Sequence, residues 1–316
     1  ERCDLEKIET YKDADVVIVG APIDSGTSHR SGAKFGPQAI RMGDYLPHDG
    51  ERPHLALRTD GLKDMKVVDA GDLLMNGGNL EESLALLAAA TEKISRAGAI
   101  AVILGGDHSI ASADVAGIAN HRGKGKISMV HFDAHADTGT DQWGALVGHG
   151  TPMRRLIENG HVRGDRFLQL GLRGYWPDDA TLNWMRDQGM RSYEMTEIHH
   201  RGLKAVLDES FATLTDGCDG VFLSVDIDVV DPGMAPGTGT PEPGGMTSRE
   251  LLEAVRRICF ELPIVGIDVV EVAPAYDQSE ITAVLANRVV LEALSAIALK
   301  KSGGSFNPTK NLLADR

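Results

Sequence analysis

Two short segments concentrate side chains able to hold a divalent metal. One reads His131-Phe132-Asp133-Ala134-His135-Ala136-Asp137, the other Ser224-Val225-Asp226-Ile227-Asp228-Val229-Val230-Asp231-Pro232. Each adjoins an apolar run of strand character, and residues two apart on a strand point to the same side. Read as strand, Asp133, His135 and Asp137 converge on one face, and Asp226 and Asp228 do the same. Ionised carboxylates among apolar strands are costly unless a positive group lies between them, and a divalent cation answers that need. A third segment, Leu104-Gly105-Gly106-Asp107-His108-Ser109, follows another apolar run and sets His108 at a strand end, with glycines that let the loop approach a ligand. The candidate ligands are therefore His108, Asp133, His135, Asp137, Asp226 and Asp228. Four carboxylates and two imidazoles suit two ions of the manganese kind. A pair of ions ~3.5–4 Å apart lowers the pKa of bound water and supplies a nucleophile at neutral pH. Each residue alone has a bland explanation, since an isolated Asp-x-Asp can cap a helix or make a turn. Three such segments in one chain would require three coincidences.

The elements that must position these residues alternate. Apolar runs at 16–19, 66–69, 100–104, 127–130, 167–170, 221–224 and 264–267 read as buried parallel strands. Between and after them, helical patterns cover 80–97, 110–121, 181–188, 203–214, 248–260 and 280–302, the one at 248 opening with a capping sequence, Thr247-Ser248-Arg249-Glu250. Such alternation predicts an α/β fold with a parallel sheet. Residues 231–245, rich in Gly and Pro, are too irregular for helix or strand and follow the second acidic segment directly. Ligand sites in open α/β sheets are built from loops at the carboxyl ends of strands. No internal repeat or low-complexity linker divides the chain, so residues 1–316 read as one domain, with a polar tail expected to fray from about 303.

Composition is that of an ordinary globular protein, 42% apolar and 25% charged. A formal charge of −14 argues against nucleic acid or an anionic membrane as partner and mildly favours a cationic substrate. No run of 18 apolar residues predicts a membrane span, and the N-terminal residues lack the pattern of a signal peptide; the expectation is a cytoplasmic protein. Cys3, Cys218 and Cys259 are far apart and read as free thiols. The 20–36 stretch lacks the glycine spacing of a nucleotide-binding loop.

Taken together, the segments 105–109, 133–137 and 224–245, with Gly36-Pro37-Gln38-Ala39-Ile40-Arg41, closely resemble the ureohydrolase family of arginases and agmatinases, and the likeness runs from about residue 15 to 300. The resemblance implies a three-layer α/β/α sandwich with a central parallel sheet and a binuclear manganese site, nickel being an alternative in some relatives. It implies hydrolysis of a guanidinium group with release of urea, and assembly into trimers or hexamers. Carried onto matching positions, Asp133 and Asp226 resemble bridging carboxylates, and Asp137 a ligand that also orients the attacking water. His149 resembles the proton-shuttling histidine, and Glu271, in Val270-Glu271-Val272, the carboxylate that pairs with the substrate guanidinium. His131, Asp107 and Asp231 are expected to orient ligands.

The pattern departs from arginases where those enzymes hold the α-amino and α-carboxylate groups of arginine. Gly139 and Ala145 stand where they carry Asn and Ser, and Asp137-Thr138 with the run from His149 to Arg155 is similar to agmatinases and guanidinoalkanoate hydrolases. Residues 139–147 form the expected specificity loop, with Trp143 in it and Tyr175-Trp176 nearby. Aromatic rings suit a cationic tail, which makes agmatine the favoured substrate. 4-Guanidinobutyrate or 3-guanidinopropionate would call for a cation at the mouth, for which Arg154, Arg155 and Arg173 are candidates; guanidine and a biguanide remain open. Two other classes compete: a deacetylase-like amide hydrolase with one zinc, which complete ligand sets for two metals disfavour, and a non-catalytic subunit of a hetero-oligomer, in which a missing ligand would be expected.

Overall fold

The computed structural model describes residues 1–45, 52–309 and 313. Eight strands form one sheet: β1 (Val16–Ala21), β2 (Val67–Asp72), β3 (Ile100–Gly105), β4 (Ile127–Phe132), β5 (Val162–Leu172), β6 (Arg191–Glu194), β7 (Gly220–Asp226) and β8 (Ile264–Val270). Their order is β2-β1-β3-β8-β7-β4-β5-β6, and every neighbouring pair is parallel. The helices are α1 (Gly36–Met42), α2 (Gly61–Asp64), α3 (Leu80–Arg96), α4 (Ala111–Arg122), α5 (Pro152–Glu158), α6 (Asp179–Asp187), α7 (Met195–Arg201), α8 (Leu203–Thr215), α9 (Ser248–Glu261) and α10 (Ile281–Lys301).

The sheet carries an apolar layer on each face. On one, Val102, Val130, Leu168, Leu223 and Ile267 pack with residues of α8, α9 and α10. On the other, Val17, Ala101, Met129, Phe222 and Val265 pack with residues of α3, α4 and α5. The chain is thus a three-layer α/β/α sandwich. Strands covered on both faces have no solvent side, which is why β3, β4, β7 and β8 read as near-continuous apolar runs. Helix α10 is long and apolar enough by composition to cross a bilayer, yet 67% of its most apolar window is buried in the protein. Helix α9 begins with a capping box: Thr247 Oγ1 accepts from Glu250 N–H and the Glu250 carboxylate accepts from Thr247 N–H.

Five elements lie outside the patterns read from the sequence: strand β6 and the short helices α1, α2, α5 and α7. Strand β6 has four residues of which only Tyr193 is buried, so it presents no apolar run. Helix α5 is a seven-residue turn entered through Pro152. The tail expected to fray falls partly outside the described residues; within them, Phe306 packs against the core with the Arg256 guanidinium 5.4 Å from its ring.

The strand order decides where the site forms. β3, β8, β7 and β4 are contiguous at the centre of the sheet. The loops leaving their carboxyl ends begin at residues 106, 271, 227 and 133, so segments far apart in sequence meet on one rim.

Candidate metal centre and substrate cleft

The acidic segments are loops and turns, not strands. β4 ends at Phe132 and β7 at Asp226, so Asp133, His135 and Asp137 follow a strand, and Asp228 lies in a short 3-10 turn, Ile227–Val229. The alternation read from the sequence therefore does not bring these groups together. A strand would have carried every second residue into the apolar layers. The loop instead folds them back over the strand ends, with Asp137 at φ 51°. Gly106 allows the neighbouring loop to pass closely: it has φ 35°, and a Cβ there would stand 2.4 Å from the Ala21 carbonyl oxygen.

Convergence is achieved all the same. His108 Nδ1 lies 3.0 Å from Asp133 Oδ2, 3.1 Å from Asp137 Oδ2 and 3.3 Å from Asp226 Oδ2. His135 Nδ1 lies 3.1 Å from Asp228 Oδ2 and 3.4 Å from Asp133 Oδ1. Candidate ligand atoms form two compact groups, one of His108, His131, Asp133 and Asp137, the other of Asp133, His135 and Asp228, with Asp133 common to both. Asp226 joins the first group through His108 alone.

The surrounding hydrogen bonds fix which nitrogen is free. Ser224 Oγ donates to Asp268 Oδ1 (2.7 Å), so its remaining contact, His108 Nε2 at 2.8 Å, must be a donor. His108 then carries a proton on Nε2, and its Nδ1, the ring atom left for a metal, faces three carboxylates. Gln169 Nε2 donates to the Ala136 carbonyl and to His131 Nδ1, so His131 Nε2–H donates to Asp133 Oδ2 (2.9 Å). Ser192 of β6 donates in turn to Gln169 Oε1. As a metal ligand, Nδ1 would present a lone pair to three buried acids, an arrangement that a cation between them relieves.

The electrostatics point the same way. Burial together with the charges of Asp228 and Asp133 pushes Asp226 well above the usual carboxylate range. Burial and the Asp133 charge raise Asp137, and burial raises Asp228. Burial would also raise Asp133, but the surrounding imidazoles of His108, His131 and His135 hold it well below its ordinary value. This excess of buried negative charge, with donor atoms of the preferred kind, fits a pair of divalent ions.

Beside the cluster, Glu271 begins the loop after β8 with φ 62°. Its Oε1 accepts from His108 N–H (2.8 Å) and His149 Nδ1 (2.9 Å), while Oε2 is buried without a partner. Burial would lower His149, but the Glu271 charge dominates and pushes it up to about 9. On the other side of the ring, Ser28 N–H (3.0 Å) and Ser28 Oγ (2.6 Å) meet Nε2. Asp107 supports this loop by accepting from Gly26 N–H, and the Gly26 carbonyl accepts from His149 N–H and from Gln142 Nε2.

A cleft of about 390 Å³ opens over these groups, lined by Ser28, His135, Asp137, Asp141, Gln142, Trp143, His149, Gly150, Trp176, Asp226 and Thr240. Ser28, Gln142, Asp141, Thr240 and Gln169 were not singled out in the sequence; Gln169, a polar residue inside an apolar run, was the one visible signal. Gly139 lies beneath the rim: its N–H donates to the Gly150 carbonyl, and a Cβ there would stand 2.9 Å from that oxygen and 3.5 Å from Trp176. Tyr175 is fully exposed and off the lining. The arginines considered for the mouth are engaged elsewhere. Arg154 is buried against Trp184 and donates to the Thr138 carbonyl, Arg155 pairs with Glu158, and Arg173 serves the carbonyls of Asp228, Val229 and Glu242. Backbone carbonyls left by irregular loops need donors, and that need has absorbed Arg154 and Arg173.

Comparison with known proteins agrees with this geometry. The model of the arginase family matches residues 14–296. The chain is 37% identical over 286 residues to a guanidinobutyrase of Pseudomonas aeruginosa, covering 90% of this chain and 86% of that one. It is 39% identical over 290 residues to an agmatinase of Cronobacter sakazakii, covering 92% and 89%. The solved structure of proclavaminate amidinohydrolase from Streptomyces clavuligerus superposes with a TM-score of 0.80 at 36% identity, over 91% of this chain and 92% of that one.

Proposed function

The chain belongs to the arginase family and is a hydrolase acting on guanidino compounds; from that premise we propose that it cleaves agmatine to urea and a diamine at a binuclear manganese centre. His108, Asp133, Asp137 and Asp226 would hold one ion, and Asp133, His135, Asp226 and Asp228 the other. When bound, the ions supply Lewis acidity and a water of lowered pKa.

The protein's own groups supply the rest. The unpartnered Glu271 Oε2 is an acceptor set for a guanidinium N–H, a charge-assisted contact in a buried site. Glu271 thereby orients the planar group over the acidic cluster. His149 keeps one proton on Nδ1, toward Glu271, and exchanges the other at Nε2, on the cleft side, where the departing amine must be protonated. Asp137, at the cleft floor, accepts a hydrogen bond from the attacking water.

The observation that carries the choice of agmatine is the lining of the cleft. It holds Asp141 and the rings of Trp143 and Trp176 and, among the described residues, no Lys or Arg. An ammonium tail finds a carboxylate and two aromatic faces there, whereas a carboxylate tail finds no cation. Guanidino acids, among them the guanidinobutyrate of the Pseudomonas relative's name, are disfavoured on that ground.

The test is urea release by the manganese-loaded protein with agmatine, 4-guanidinobutyrate, 3-guanidinopropionate, arginine and guanidine, repeated with nickel. Agmatine should lead by tenfold or more in kcat/KM. A guanidino acid in first place would overturn the reading of the cleft, and no urea from any compound with both metals bound would overturn the reaction.

A further inference from the structure

Behind the cluster lies a pair of buried acids that the proposed reaction does not use. Asp114, on α4, and Asp268, on β8, are both fully buried. Their side chains are in hydrogen-bonding contact, and Oδ2 of each has no other partner. Two carboxylates cannot meet in an apolar interior without a proton between them. Burial raises both acids; Asp268 accepts from two donors, Ser224 Oγ and Val225 N–H, and Asp114 from one, Val115 N–H, so the charge is better held on Asp268 and the proton on Asp114. Asp268 Oδ1 accepts from Ser224 Oγ (2.7 Å) and Val225 N–H (3.2 Å), and Ser224 Oγ accepts from His108 Nε2 (2.8 Å).

We propose that Asp114 is a positioning residue for metal binding: its proton keeps Asp268 an acceptor, which directs the Ser224 hydroxyl away from His108 and locks the imidazole with Nδ1 unprotonated toward the metal cluster. This rests on the metal reading of that cluster. The alternative arrangement shows why a lock is needed. Without Asp114, Asp268 Oδ2 is an orphaned buried anion, and taking up a proton is its cheapest relief. A protonated Asp268 donates to Ser224, Ser224 then donates to His108 Nε2, and the histidine proton moves to Nδ1, where no metal can bind. No net charge is transferred along this chain; each hydrogen bond simply reverses.

The experiment compares manganese affinity of the full chain by chelator competition, with melting of the metal-free protein as a folding control. Asp114→Leu removes the donor at similar size and should weaken one of the two ions about tenfold or more, the range found for groups that orient metal ligands, while the other ion is held as before. Asp114→Asn still donates to Asp268 and should restore wild-type affinity, a rescue that mere packing by Asp114 would not require. Should Asp114→Leu fail to fold, Asp268→Leu against Asp268→Asn makes the same comparison, because the amide oxygen of Asn still accepts from Ser224. Wild-type affinity in folded Asp114→Leu or Asp268→Leu, with two ions bound by the parent protein, overturns the relay alone. A parent protein that binds no manganese overturns the metal reading and the relay with it.

Discussion

Replacing Glu271 by Gln tests the substrate anchor and the proton route at once. In the native site Oε1 is already committed to His108 N–H and the His149 ring, so Oε2 is the atom available to a guanidinium. Gln must keep its oxygen toward those two donors, which turns its NH2 group toward the guanidinium. One charge-assisted hydrogen bond is then lost, about 1.5–3 kcal/mol, or roughly 10- to 150-fold in kcat/KM; the opposed donors place the outcome at the upper end. The same change removes the main influence raising His149. Burial lowers it while the charges of Asp137 and Asp107 still raise it, so its titration should fall from about 9 toward the ordinary 6.5. The sign follows: His149 stays charged to higher pH with Glu271 present, and loses its proton at lower pH in the variant. The assay is kcat/KM for urea release against pH, with metal content measured in parallel. Undiminished kcat/KM with both ions bound would refute the anchor, and loss of metal would show that Glu271 belongs to the ion cluster instead.

Three further outcomes are expected. Asp133→Ala, which removes the carboxylate common to both groups of candidate ligands, should lower metal content and abolish urea release; two ions retained with activity would refute the shared role. Asp141→Asn, at the rim of the cleft, should raise KM for agmatine about two- to fivefold with kcat little changed, since an exposed ion pair contributes about 0.2–1 kcal/mol; steady-state kinetics decide it. Cys259 is buried, and burial pushes its thiol far up, so in the native protein only Cys3 and Cys218 should react with a thiol reagent at pH 8. Cys259 should follow on addition of denaturant, as mass spectrometry of the labelled peptides would show.

The sequence by itself determined the kinds of residue and the class of fold. Unbroken apolar runs separated by amphipathic stretches already required a sheet buried on both faces, because only such strands have no polar side. His108, Asp133, His135, Asp137, Asp226 and Asp228 were legible as a candidate metal-binding set from donor chemistry alone. The fold decided how they meet. Strand alternation suggested a shared face, but all of the groups except Asp226, the last residue of β7, lie beyond the strands, and it is the adjacency of β3, β8, β7 and β4 that assembles four distant loops. That adjacency depends on pairing between strands separated by scores of residues, which no local pattern encodes. The same holds for the supporting groups. Ser28, Gln142 and Asp141 are unremarkable as residue types, and strand β6, too short and exposed to announce itself, delivers the Ser192 hydroxyl that orients Gln169 and through it His131. Arg154 and Arg173 show the converse, since their charge suggested the cleft mouth but their donors are taken up by loop carbonyls. Residue chemistry is a property of the chain; which hydrogen-bond partner satisfies each group is a property of the packed structure, where every buried donor and acceptor competes for neighbours that only tertiary contacts supply.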